Sequence, residues 1–377
     1  MDNRIRGFDG LRAIAVLMVF LQHRVLSGRD ETGHLGVWIF FALSGFLITG
    51  ILSAQRRTIE RDASDFFTEL KRFLFRRTLR IFPIYYLLLI VMAVLMMFGH
   101  AAPQLKSGLP FHFAYLSNIW IGEVLRYWPG PWSHLWSLSI EEQFYLFFAP
   151  LLLLVPVRWH LLVCCAVFVT GLASMLLMRF AGTPEIVVYT HPLTNFWMLA
   201  LGGIGGAWLR VEGSTLRALL SRQSGFIAVL FGVTALCVTE PNWSAVANPA
   251  VYTLVCTLYG MGIAALVCAV ACSGSTALVG VLETGWLASL GRISYGFYLY
   301  HNFVPDPARL NRVKALFHGA AEPTWVRFAG IAISFGVSLW LAKLSWRFIE
   351  APILRRKAEW TQRVVNTTGR RAGLYKS

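Results

Sequence analysis

Charge is scarce in this sequence. Asp, Glu, Lys and Arg together supply 14% of its 377 residues, where a soluble domain carries nearer a quarter. Hydrophobic residues make up 56%, and the mean hydropathy is +0.58. Long polar stretches are also missing: the most extended ones are 54–77, 100–135 and the C-terminal tail, and none has the apolar pattern of a separate soluble domain. Six cysteines are present, Cys164, Cys165, Cys237, Cys256, Cys268 and Cys272, but no two have C-x-x-C spacing, which removes zinc-ribbon and dithiol redox chemistry. They fall within or at the ends of apolar runs and read as small buried residues. No internal repeat is evident, so the signature of an inverted-repeat transporter is absent.

Apolar runs of membrane-spanning length recur along the whole chain. Placing about 20 residues per span gives about ten, at 8–27, 36–53, 78–99, 136–156, 160–179, 192–210, 224–240, 250–272, 286–304 and 324–346. The expected fold is therefore an all-α polytopic membrane protein, its helices around a central cavity. Residues 1–350 form the transmembrane domain and 351–377 a basic tail. The basic start at Arg4 and Arg6 before an apolar run resembles a signal peptide, but Arg12 interrupts the run and no small-residue cleavage site closes it. The first helix is expected to stay.

The formal charge of +15 does not point to nucleic acid. Basic residues gather at Arg56, Arg57, Arg61, Lys71, Arg72, Arg76, Arg77 and Arg80, and again at Arg355, Arg356, Lys357, Arg363, Arg370, Arg371 and Lys376. Both groups flank apolar helices, where excess Lys and Arg mark the cytoplasmic side. With an even number of spans, both termini are cytoplasmic. The 54–77 loop also carries Glu60, Asp62, Asp65 and Glu69, a mixture that predicts an amphipathic helix on the membrane surface.

Ionisable groups in a membrane helix cost about 3 kcal/mol or more at mid-depth, so they face partners or water-filled space. "RAIAVLMVFLQH" places Arg12 and His23 eleven residues apart, within about 20° of the same helix face and about 16 Å along it. His23 can act as a base on a hydroxyl, or else bridge two helices. In "SHLWSLSIEEQFYLFFAP", Glu142 stands three residues after Ser139, the spacing of a helix-capping box. It could equally hold an imidazole or a sugar hydroxyl. Arg77 and Arg80, one turn apart in "RRTLRIFPIYY", suit phosphate oxygens, or serve as topological markers. "GRISYGFYLYH" ends in His301, with Tyr295 and Tyr298 on one side of a helix. His134 and Glu141 complete the set. No metal-ligand spacing occurs.

Taken together, "FDGLRAIAVLMVFLQH", "GVWIFFALSGFLIT", the R-x-x-R of "RRTLRIFP", "WSLSIEEQFYL" and "GRISYGFYLYH" resemble, in order, the membrane-bound acyltransferase 3 family. The similarity spans roughly residues 5–350 and is to the stand-alone form, without a hydrolase-like C-terminal domain. It implies a ten-helix core in the bacterial inner membrane that takes an acyl group, with acetyl expected, from cytosolic acyl-CoA. The acceptor implied is a hydroxyl of a carbohydrate or glycolipid, such as a polysaccharide or lipopolysaccharide, at the outer face. Carried over by motif, His23 is the base, Arg12 its same-helix companion, and Arg77 and Arg80 contact acyl-CoA. Glu142 belongs to the catalytic or acceptor region, with Glu141, His134, Tyr298 and His301 as substrate-binding positions. Trp38 departs from the acidic or amide residue often found at its position in such sequences, which bears on the acceptor. The reading from another class is a transporter or export partner for a lipid-linked saccharide, using Arg12, His23 and Glu142 as substrate or proton sites. A glycolipid binder without catalysis is the third. No metal and no nucleic acid is expected, and the oligomeric state is not legible.

Overall fold

The computed structural model describes residues 4–26, 31–98, 103–211, 246–272, 277–307 and 323–373, together with 218 and 220. Among them there is no strand. Six helices are long and apolar enough to cross a bilayer, and each overlaps one of the expected spans. They are α2 (Glu31–Glu60), α3 (Phe66–Met97), α6 (Leu135–Leu154), α7 (His160–Phe180), α10 (Pro249–Cys272) and α14 (Thr324–Ser345). Of the other four expected spans, α1 (Phe8–Arg24) has 17 residues and α9 (Leu193–Trp208) has 16. The span expected at 286–304 is two short helices, α12 (Gly285–Arg292) and α13 (Ser294–Tyr300), hinged at Ile293. The span expected at 224–240, with Cys237, lies outside the described residues. The short helices α4 (Pro103–Phe113), α5 (Ser117–Ile119), α8 (Glu185–Thr190) and α11 (Ala277–Leu282) fill the connections.

Helix α2 is the centre of the bundle. In its apolar window 78% of residues are buried inside the protein, against 17% for α7, whose Leu162, Val169 and Leu177 face outward. A helix apolar all round is stable only when its whole circumference is covered, and in α2 protein covers most of it. In a bilayer that burial brings little hydrophobic gain, so close backbone approach and dispersion carry the packing. A Cβ on Gly45 would strike the Leu199 carbonyl of α9, and one on Gly202 the Ala42 carbonyl of α2. Helix α1 is wedged in the same way, with Gly36 against the Ala15 carbonyl and Gly291 of α12 against that of Asp9. These contacts set the position of His23 relative to everything around it.

The facing boundaries of α2 and α3 differ from the expected ones. Helices α2 and α3 run on to Glu60 and from Phe66, so only 61–65 connect them, and no separate surface helix exists at 54–77. Polar residues continue these helices because their charges pair within or between turns: Arg56 lies 3.4 Å from Glu60, Glu69 is buried against Arg72, and Gln55 donates to the Glu69 carbonyl at 3.2 Å. Asp65 caps α3, accepting from the Thr68 backbone N–H at 3.0 Å and its hydroxyl at 2.6 Å. The tail is a helix, α15 (Ala351–Gly373), packed on α3. It leaves Arg355, Arg356 and Arg363 exposed.

The Thr68 hydrogen bonds hold the Asp65 carboxyl below the usual carboxylate range. The cap therefore contributes fully above that range, and its contribution fades as pH falls through the lowered value. Asp65→Ala is expected to reduce stability by about 1 kcal/mol at neutral pH, with a smaller difference from wild type in acid, read by thermal unfolding in detergent. Gly45→Leu is expected to cost about 3 kcal/mol or more by overpacking and to broaden the size-exclusion peak of the solubilised protein.

Candidate active site

Two histidines far apart in the chain meet at one end of the bundle. His23 Nδ1 lies 2.8 Å from His301 Nε2, and the two rings are parallel within 3°. His301 Nδ1 lies 2.6 Å from the Tyr298 carbonyl, and since a carbonyl only accepts, that nitrogen carries hydrogen. A second proton on the fully buried His301 ring would be a buried charge beside Arg24, so its Nε2 is the acceptor. His23 then donates through Nδ1–H, and its lone pair is at Nε2. His23 is only partly buried, which leaves it reachable.

Arg24, next to His23 at the end of α1, fixes this arrangement. Its Nη2 donates to the carbonyls of His301 and Val304, each at 2.6 Å, just beyond the end of α13. His134 packs against the same group, with ring centroids 5.2 Å from His301 and 5.5 Å from Tyr298. Its Nε2 donates to the Leu299 carbonyl at 3.1 Å. The Tyr298 hydroxyl is bonded to Ser137 Oγ at 2.6 Å, while the Tyr295 hydroxyl reaches the Ile81 carbonyl at 3.0 Å. The two tyrosines thus tie α13 to α6 and α3.

A second group lies deeper. Arg12 pairs with Asp9 at 2.8 Å, and Asp9 also holds Arg4 at 2.9 Å. Arg12, Arg77 and Arg80 lie within electrostatic reach of one another, and Glu141 and Glu142 within reach of Arg77. The Arg77 guanidinium lies 5.4 Å from the Tyr145 ring and 5.6 Å from the Phe73 ring, a cation–π setting. The Tyr145 hydroxyl bonds to Ser44 Oγ at 2.6 Å. Glu350, buried and accepting from Ser345 Oγ at 2.9 Å, is within reach of Arg80.

The predicted residues therefore form two groups. His23, His301, His134 and Tyr298 meet at one end; Arg12, Arg77, Arg80, Glu141 and Glu142 gather below them. Glu142 is not part of a capping box: α6 begins four residues before Ser139, whose hydroxyl donates to the Leu135 carbonyl at 3.2 Å inside the helix. Trp38 is buried, edge-on to Trp197 at 5.1 Å. The space beside it is about 10 Å³, room for no more than one water, so the indole fills this region. Arg24 and Glu350 were not singled out from sequence. Arg24 sits next to His23 in the chain, but nothing there signals its carbonyl partners. Among the described residues no group of three or more His, Cys, Asp or Glu is placed to hold a metal.

The described helices thus combine a membrane bundle with a hydrogen-bonded histidine pair at one end and a group of arginines further along it. Residues 5–343 match the acyltransferase domain of the acyltransferase 3 family, and the chain belongs to that family. It is 30% identical over 369 residues to the peptidoglycan O-acetyltransferase OatA of Listeria monocytogenes, covering 93% of this chain and 56% of that protein. It is 31% identical over 370 residues to the "Putative peptidoglycan O-acetyltransferase YrhL" of Bacillus subtilis, covering 93% and 55%. The chain spans about half the length of these relatives. No solved structure matches.

Arg24→Gln is expected to lower stability in detergent by about 2 kcal/mol, the scale of a hydrogen bond to a charged group, and to reduce acyl transfer. Arg24→Lys, which keeps the charge and a donor, is expected to recover part of both. Thermal unfolding and turnover measured together check this.

Proposed function

We propose that this protein is a transmembrane O-acyltransferase that moves an acyl group, acetyl in the first instance, from cytosolic acyl-CoA to a carbohydrate hydroxyl at the outer face of the bacterial cytoplasmic membrane. The proposal includes the ten-span arrangement with both termini cytoplasmic, for which the basic 54–77 and C-terminal segments are the support. The observation that carries the chemistry is the His23–His301 hydrogen bond at 2.8 Å. It orients an imidazole whose Nε2 can accept a proton, the role of a general base.

Transfer then runs as follows. The acceptor hydroxyl gives its proton to His23 Nε2 as its oxygen attacks the thioester carbonyl carbon. The new C–O bond forms, the C–S bond breaks, and the thiolate leaves with the proton from His23 Nε2. His301 holds the Nδ1–H side throughout. Arg77 and Arg80 supply guanidinium groups for the phosphates of the donor, for which arginine is better shaped than lysine. Arg12, between phosphates and base on the wall that leads to His23, balances negative charge along the path. The names of the relatives, two of which refer to peptidoglycan, favour an envelope polysaccharide as acceptor.

Purified protein in liposomes, given radiolabelled acetyl-CoA and an envelope glycan extract, is expected to label a glycan. His23→Ala is expected to reduce that label by about a hundredfold to ten-thousandfold, the range for loss of a general base. Equal label with both proteins would remove His23 from the chemistry. Movement of a lipid-linked saccharide with no label from any acyl-CoA would favour a transporter.

A further inference from the structure

Two buried polar atoms near the arginine cluster have no hydrogen-bond partner in the structure. They are Glu142 Oε1 and the Tyr115 hydroxyl. Glu142 is 9% exposed and Tyr115 7%, and the two lie within electrostatic reach of each other and of Tyr295. A buried polar group left unpaired costs about 1–3 kcal/mol, so two in one place call for a ligand or ordered water.

The setting of Tyr115 is built. It follows α4 in a turn that brings non-helical backbone back beside α3 and α6, with φ +54°, a conformation uncommon for a non-glycine residue. The Gln143 side chain, next to Glu142, donates to the Tyr115 carbonyl at 2.8 Å and also bonds Asn118. The Tyr115 ring stacks on Tyr85 at 4.2 Å and lies 5.3 Å from Phe82. The Tyr115 backbone and ring are thus held in place by Gln143, Tyr85 and Phe82.

Depth identifies the ligand. Tyr85 is eight residues beyond Arg77 on α3, about 12 Å, and Glu142 is eight residues below His134 along α6, again about 12 Å. The subsite therefore lies between the groups suited to phosphates and the group suited to the acyl carbon. A phenol that can donate and a carboxylate that accepts match a secondary amide, which presents one C=O and one N–H. The arm of coenzyme A between its phosphates and its sulfur carries two such amides. An N-acetylated sugar carries one as well.

We infer that Tyr115 and Glu142 form a hydrogen-bonding subsite for a secondary amide, and its depth favours that of the donor's pantetheine arm. This deepens the acyl-CoA reading and rests on it for the choice of ligand. Equilibrium binding to detergent-solubilised full-length protein tests it with three probes: coenzyme A, adenosine 3′,5′-bisphosphate and an N-acetylglucosamine trisaccharide. Tyr115→Phe keeps the ring stacking and removes only the hydroxyl; Glu142→Met keeps the length and removes the carboxylate. Size-exclusion elution and melting temperature verify that each variant is folded.

Tyr115→Phe is expected to weaken coenzyme A binding about twofold to tenfold, the range for a neutral hydrogen bond, and Glu142→Met by more, with the bisphosphate unchanged. Weakening confined to the trisaccharide keeps the amide subsite and assigns it to the acceptor. Unchanged affinity for both coenzyme A and trisaccharide in Tyr115→Phe would overturn the subsite, as would equal weakening of coenzyme A and the bisphosphate. If wild type binds no coenzyme A, the donor reading falls, and the trisaccharide alone then decides the subsite.

Discussion

The contact on which the rest depends is the hydrogen bond between His23 and His301, residues separated by 278 positions. It needs the end of α1 and the end of α13 at one fixed separation, and neither helix could hold that alone. Helix α1 is short and wedged by backbone contacts at Gly36 and Gly291, which leave it little room to slide. Helix α13 is seven residues long, and its end is secured by Arg24 from α1 itself. The same helix thus supplies the imidazole and the cation that places its partner.

Buried charge follows one rule in this molecule. Asp9 is shared by Arg4 and Arg12, Arg72 accompanies Glu69, and the Arg77 guanidinium lies over aromatic rings. Removing one member of such a pair strands the other in a low-dielectric setting, which ties the arginine cluster to the fold as firmly as apolar packing does. Glu142 Oε1 and the Tyr115 hydroxyl are buried polar atoms with no such partner, the kind of group that a ligand or ordered water completes.

Much of this was legible in the sequence because helical period is legible. The spacing of Arg12 and His23 places both on one face, and the apolar runs mark the six long helices. Three features were hidden for physical reasons. The ends of α2 and α3 are polar yet helical because their charges pair with each other, so hydropathy stops short of the true boundaries. The Ser139–Glu142 spacing imitates a cap, but tertiary contacts start α6 at Leu135, and the Ser139 hydroxyl turns back onto its own helix. The break at Ile293 and the turn at Tyr115 arise from packing against distant segments, for which a local pattern has no signal. Arg24 is the same case: its carbonyl partners lie 277 and 280 residues away, where a local pattern has no signal.

The most direct test of this account is the protonation state of the His23 ring. Solid-state ¹⁵N spectra of histidine-labelled protein in bilayers, assigned by comparison with His23→Gln, distinguish a ring nitrogen that carries hydrogen from one that carries a lone pair. The hydrogen bond to His301 predicts hydrogen on His23 Nδ1 and a lone pair on Nε2 at neutral pH. Hydrogen on Nε2 with a bare Nδ1, or on both nitrogens, would contradict His23 as the oriented base.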